Sequence, residues 1–176
     1  MSAARIEQVY GAETVQDRVR ALARRLQEEI GGEDPLVISL LGGSVIFLAD
    51  LVRAVSAPLR FEFVHVEYGQ PQGADETLDI HYPVPLAVAG ESLLLIKDVV
   101  STGVIESYLA SQLRERGARE VRFAALIDLP SERKTGFTLD YGVFTEERNG
   151  AFVGYGLKHD GRHGNLPYLG RLVESG

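Results

Sequence analysis

The sequence contains no cysteine, which excludes disulfides, thiolate catalysis and cysteine zinc sites. Its apolar runs are all too short to cross a bilayer. The opening Met-Ser-Ala-Ala-Arg-Ile-Glu-Gln has no apolar signal core, so a soluble, cytoplasmic chain without membrane contact is the expectation. Positive charge is also scarce: 18 Lys and Arg stand against 25 Asp and Glu, for a net charge of -7. Nonspecific nucleic-acid binding needs a basic face that releases counterions, and is not expected here. A local cationic pocket remains compatible with an acidic chain. No linker, repeat or low-complexity tract divides the 176 residues, which suit a single domain over 1–176 with a real core.

What is present is an alternation of apolar runs and helical periods. Val15, Val19, Leu22, Leu26 and Ile30 recur every three or four positions behind Thr14, a candidate N-cap, and predict a helix over about 15–30. Leu36 to Leu41 is a continuous apolar run of strand length, followed by Gly42-Gly43-Ser44 and a helical segment carrying Phe47, Leu48, Leu51, Val52 and Val55. Residues 59–66 alternate with a period of two and read as the next strand. Residues 67–91 carry Pro, Gly, Asp and Gln with little period, and read as a long functional or mobile loop. Further strands are expected at 120–128, 137–141 and 151–156. Such alternation predicts an α/β fold with a mostly parallel sheet covered on both faces, its ligands bound at the carboxyl ends of the strands.

The most informative stretch is 93–109, Leu-Leu-Leu-Ile-Lys-Asp-Val-Val-Ser-Thr-Gly-Val-Ile-Glu-Ser-Tyr-Leu, which runs from a buried strand through a tight turn into an amphipathic helix. Gly103 lets the backbone approach a ligand, and the free N–H groups that open the helix suit an anion. Residues 101–105 (Ser101, Thr102, Gly103, Val104 and Ile105) are therefore a candidate phosphate cradle.

Asp98, Thr102 and Gly103 in this turn resemble the ribose-5-phosphate loop of the phosphoribosyltransferases. Three further stretches, in order, resemble the hypoxanthine-guanine members. Leu40 to Arg53 is similar to their first active-site loop and helix, and Tyr68-Gly69 to their flexible lid. Gly154-Tyr155-Gly156-Leu157 with Asn165-Leu166-Pro167-Tyr168 is similar to their C-terminal segment. The resemblance implies a type I phosphoribosyltransferase-like fold with a mobile lid loop at Glu67, Tyr68 and Gly69. It implies a purine-salvage glycosyltransferase that joins hypoxanthine or guanine to phosphoribosyl pyrophosphate and releases pyrophosphate. It also implies Mg²⁺, a purine nucleotide or phosphoribosyl pyrophosphate as ligand, and a homo-oligomer.

Carried over residue by residue, the family's roles fall on Ser101 at the acid facing the purine and on Asp98 at a ribose and metal acid. Gly42, Gly43, Lys158 and Arg162 fall on the pyrophosphate side, and Leu129 and Phe152 on the base. Several side chains depart from the family pattern. Lys97 and Lys158 stand where acids hold the metal, Leu129 where a lysine reads the base, Gly164 where an arginine meets pyrophosphate, and Glu67 where the lid has serine. Two lysines in place of two carboxylates have two readings: solvated lysines at two loop edges, or a phosphate pocket that works without metal. Two function classes follow: a slow or catalytically impaired phosphoribosyltransferase, and a non-catalytic purine-nucleotide-binding or regulatory relative. The His159 and His163 pair has helical metal-ligand spacing, yet the intervening Asp160-Gly161 argues against a helix and hence against zinc.

Overall fold

Apolar runs hidden on both faces suit the middle of a parallel sheet, and among the described residues five strands pair in parallel around two such runs, Leu36–Leu40 and Leu93 to Ile96. The computed structural model describes residues 5–68, 78–81, 87–147 and 150–173. In chain order the elements are β1 (Arg5–Tyr10), α1 (Ala12–Ile30), β2 (Leu36–Leu40), α2 (Ser44–Ala54), β3 (Arg60–Tyr68), β4 (Leu78–His81), β5 (Ser92–Val100), α3 (Val104–Glu115), β6 (Glu120–Asp128), β7 (Tyr141–Thr145), β8 (Phe152–Val153) and β9 (Leu169–Val173). The main sheet has the order β4-β3-β2-β5-β6-β7. All its neighbours pair in parallel except β4, which lies antiparallel on the outer edge of β3. A second, antiparallel sheet has the order β1-β9-β8.

Alternation along β5 divides the core. Leu94 and Ile96 face the cluster that holds the buried stripe of α1 with Phe47, Leu48 and Leu51 of α2. Leu93 and Leu95 face the other cluster, with Leu109 and Leu113 of α3. A strand residue's parity therefore decides which helical layer it meets. Among the described residues no helix is long and apolar enough to cross a membrane.

The structure corrects several boundaries. α1 begins at Ala12 behind Gly11, so Thr14 lies inside the helix and is not its cap. The expected 67–91 loop contains β4, which pairs with the end of β3 from His65↔His81 to Tyr68↔Leu78. The expected strand at 137–141 is displaced to Tyr141–Thr145. Phe137 instead packs edge-on against Phe123, with ring centroids 5.1 Å apart, and the Asp140 carboxylate accepts the Phe123 N–H at 2.8 Å. The strand expected over 151–156 shrinks to β8, because Gly154 and Gly156 take positive φ and turn the chain. β1 and β9, which pair the two ends of the described chain, have no counterpart in the sequence reading.

Candidate functional site

Three segments meet at the carboxyl ends of the strands. The first, Leu41-Gly42-Gly43, links β2 to α2. It is fixed by the Leu41 N–H donating to the Val64 carbonyl at 2.8 Å and by a buried contact of the Ser39 and Ser44 hydroxyls at 3.0 Å. The second is the end of β5. Asp98 shares the parity of Leu94 and Ile96, so it emerges on the α2 side, where its carboxylate accepts the Gly43 N–H at 3.1 Å and the Val99 N–H at 2.8 Å. The third is Gly154 to Lys158. Gly156 lies so close to the first loop that a Cβ there would come within 2.2 Å of the Gly43 carbonyl oxygen, and one on Gly43 would meet Asp98 and Leu157.

These segments enclose a cavity of about 410 Å³ lined by Gly42, Gly43, Asp98, Ala151, Phe152 and Lys158, among others. The third segment is tied down from behind. The Tyr155 phenol donates to the Asp50 carboxylate of α2 at 2.6 Å. Burial, and then this hydrogen bond, hold the phenol far above its ordinary range, so it stays a protonated donor. Arg162 lies beyond the cavity in a two-residue hairpin, with His159 and Arg162 exchanging backbone hydrogen bonds at 3.1 and 2.9 Å. Asp160 and Gly161 both have positive φ there, which is the Asp-Gly hairpin geometry. His159 and His163 accordingly sit on a turn and not on a helix face.

The phosphate cradle lies beside the cavity. Gly103 is the N-cap of α3, with φ 75° and ψ 2°. The Ser107 N–H returns to the Gly103 carbonyl at 3.0 Å, and the Thr102 hydroxyl oxygen lies 3.4 Å from the Val104 nitrogen as its acceptor. Ser101 and Thr102 are half-buried and Val104 is exposed. At the start of an α-helix the first N–H groups lack intrahelical partners, which leaves donors for an anion.

Other expected residues separate from this site. Lys97 and Lys158 do not share a pocket. Lys158 lines the Asp98 cavity, whereas Lys97 has the opposite parity and points to the α3 side. Its ammonium pairs there with the Glu106 carboxylate at 3.6 Å, with side-chain exposures of 17% and 3%. The idea of two lysines replacing metal charge together therefore loses one of them. Leu129 is 1% exposed in the main core. Phe152, by contrast, stays with the site: it lines the Asp98 cavity, largely buried, with the Arg171 guanidinium 4.6 Å from its ring. Glu67 and Tyr68 are backbone positions of β3 paired with Asp79 and Leu78, and the rest of the expected lid, from Gly69, lies outside the described residues.

A family-type magnesium ion would need carboxylates in this cavity. Asp98 is the one acidic side chain among the residues lining it, and Lys158 lines it too. Among the described residues no three His, Asp or Glu side chains are grouped to hold a metal. A magnesium ion is usually held by only one or two carboxylates together with a substrate's phosphate oxygens, so Asp98 with a bound phosphate ligand would be its holder here, with the Lys158 ammonium lining the same cavity.

Sequence reasoning missed Glu106 and Arg133. Glu106 left a signal, since it shares the helical face of Leu109 and Leu113 at i+3 and i+7. Arg133 left none, because its partners are mostly backbone carbonyls.

The model of the phosphoribosyl transferase domain matches residues 5–160. The chain is 34% identical over 161 residues to the hypoxanthine-guanine phosphoribosyltransferase of Bacillus subtilis, covering 91% of this chain and 89% of that protein. It is 33% identical over 159 residues to the bifunctional protein TilS/HprT of Listeria innocua, of which it covers 90% of its own length but only 24% of the relative's. Among solved structures, a hypoxanthine-guanine phosphoribosyltransferase of Bacillus anthracis has the same fold at a TM-score of 0.86 and 23% identity, covering 97% of this chain and 100% of that one. The hypoxanthine phosphoribosyl transferase of Trypanosoma cruzi matches at a TM-score of 0.85 and 26% identity, covering 95% of this chain and 91% of its own. Sequence and fold agree over nearly the whole length, and the chain belongs to the hypoxanthine-guanine phosphoribosyltransferase family.

Proposed function

We propose that the protein binds purine mononucleotides with the 5'-phosphate on the 101–105 turn and catalyses phosphoribosyl transfer to hypoxanthine or guanine slowly. The observation that carries this reading is the turn itself. Its donors are backbone N–H groups, which no side-chain replacement removes, whereas the groups for acid-base and metal work are side chains and have been replaced. Ser101 offers a hydroxyl where the family pattern has an acid, and a hydroxyl is no general base at neutral pH without a partner. Asp98 remains to meet the ribose, Lys158 supplies a cation on the pyrophosphate side, and Gly43 and Gly156 let the two loops that form that side pack closely together.

Titration of GMP or IMP is expected to raise the unfolding temperature, since a ligand of the native state stabilises it by mass action. This binding should persist in EDTA, since the turn meets the 5'-phosphate through backbone N–H groups that need no metal. Thr102→Val combined with Gly103→Val should abolish it, because a Cβ at position 103 meets Thr135 Oγ1 at 2.7 Å and Phe137 Cβ at 2.9 Å and must displace the turn. Unchanged binding in that double variant would place the ligand elsewhere, and binding that requires Mg²⁺ would return the metal to Asp98 or to the ligand's own oxygens.

Transfer from phosphoribosyl pyrophosphate is expected to run at least about a hundredfold below a relative that keeps the acids, the scale of one lost acid-base group. Ser101→Asp alone should recover little, since groups that act as a unit are not repaired singly. Steady-state kcat/KM for both bases decides this: a value ordinary for the family refutes the impairment. Undetectable transfer with retained GMP binding would favour the non-catalytic nucleotide-binding relative.

A further inference from the structure

We propose that Arg133 is a positioning residue that aims the amides of the phosphate turn at the ligand, an inference that rests on the turn being the phosphate site. Arg133 lies on the segment after β6, and its side chain is only 13% exposed. Its Nη1 donates to the carbonyls of Val100 at 3.1 Å and Leu129 at 3.3 Å, and also to that of Ser101. Its Nη2 donates to the Asp128 carboxylate at the end of β6. The next residue continues the pattern, with the Lys134 N–H donating to the Thr102 carbonyl at 2.9 Å. Three successive carbonyls of the turn, those of Val100, Ser101 and Thr102, are therefore held by the 133–134 segment.

A trans peptide is planar, with its C=O and the following N–H pointing to opposite sides. Fixing those three carbonyls toward Arg133 and Lys134 thus turns the N–H groups of Ser101, Thr102 and Gly103 the other way. Among the described residues no backbone carbonyl takes the N–H of Thr102 or Gly103. Gly103 fits the same geometry, because a Cβ there would fall against Thr135, Phe137 and Arg133 Cδ, on the face away from those amides. The underlying segment is itself braced by the Ser107 hydroxyl on the Thr135 hydroxyl at 3.2 Å and by the Phe137 ring 5.7 Å from the guanidinium.

Charge is not the main contribution, since Asp128 neutralises the guanidinium. The contribution is the fork: Nη1 meets the carbonyls while Nη2 holds Asp128, and the single ammonium nitrogen of a shorter lysine cannot occupy both places. Arg133→Lys keeps the charge but gives up the simultaneous hold on Asp128 and on the carbonyls of Val100, Ser101 and Leu129.

The test compares GMP with guanosine by calorimetry in the natural protein, Arg133→Lys and Arg133→Met, with thermal unfolding in parallel. Guanosine affinity should change by less than about twofold. The GMP-to-guanosine affinity ratio should fall by roughly tenfold or more in both variants, the scale of losing hydrogen bonds to a charged group. An unchanged ratio in Arg133→Lys, or equal loss of both ligands, refutes the positioning role and leaves Arg133 a structural brace. A natural protein that prefers GMP no more than guanosine overturns the phosphate reading itself, and the proposal with it. The natural protein also gives a test without mutation: the amide protons of Thr102 and Gly103 should move downfield when GMP is added. If they stay in place while GMP binds, the proposal fails.

Discussion

Gly156→Ala is expected to lower the unfolding temperature by roughly 10 °C and to abolish nucleotide binding, while Gly161→Ala, three residues beyond Lys158, should lower it by only a few degrees and leave binding intact. Both glycines have positive φ, 99° at Gly156 and 73° at Gly161, so an alanine at either pays a conformational penalty of about 1–2 kcal/mol. They differ in space. A Cβ on Gly161 meets nothing within 4 Å, whereas one on Gly156 would lie 2.2 Å from the Gly43 carbonyl oxygen. That oxygen belongs to backbone that is also bound to Asp98, so it cannot swing aside as a side chain would. Overpacking of this kind adds about 1–3 kcal/mol, for a total near 4 kcal/mol. At about 2–4 °C per kcal/mol for a chain of this size, the shift follows. Because the displaced atoms are those that place Gly43 against Asp98, the ligand cavity should open with the fold still cooperative. Equal shifts for the two variants in calorimetry would show that backbone conformation alone is at issue and that the close approach of the two loops is without consequence.

How much of this was legible in the sequence depended on what each element is held by. β2 and β5 are buried on both faces, so Leu36–Leu40 and Leu93 to Ile96 read as apolar runs and could be assigned directly. α1 carries Val15, Val19, Leu22, Leu26 and Ile30 at helical spacing and was equally plain. β1 was not, because Arg5, Glu7 and Gln8 are exposed and its residues show no apolar alternation; it exists through pairing with β9, more than 150 residues away in sequence. β7 was displaced because Phe137 and Leu139 pack on the α3-side core without a ladder partner, giving strand-like spacing to a connecting segment.

The site divides in the same way. Asp98, Thr102 and Gly103 could be found from a strand-turn-helix pattern, since local chain geometry makes the cradle. The separation of Lys97 from Lys158 was available in principle from the parity of β5. The Tyr155 bond to Asp50 and the Arg133 bonds to carbonyls were not available, because both join segments whose proximity is a product of the whole fold.

Lys97→Met alone is expected to destabilise the protein by about 3 kcal/mol, and the double variant Lys97→Met with Glu106→Leu to return close to natural stability. Glu106 is 3% exposed against the inner face of α3, where the neighbouring positions Leu109 and Leu113 are core, and Lys97 is its counter-charge at 3.6 Å. Removing one member of a buried pair leaves a desolvated charge and costs about 3–5 kcal/mol, whereas replacing both by apolar groups is often neutral or better. The lower end of that range applies because Lys97 keeps 17% of its exposure. Glu106→Leu alone should be milder, since a long lysine side chain can carry its ammonium toward water. A double-mutant cycle by chemical denaturation measures the coupling, and additive single and double effects would show that the two side chains do not depend on each other. The same pair bears on any attempt to restore the family's first acid on β5. Lys97→Glu alone would set a second carboxylate against Glu106 in a space that hides both, and should be the least stable of the series. Combined with Glu106→Leu it should fold, so a return of the acid at position 97 requires the prior loss of the acid at position 106.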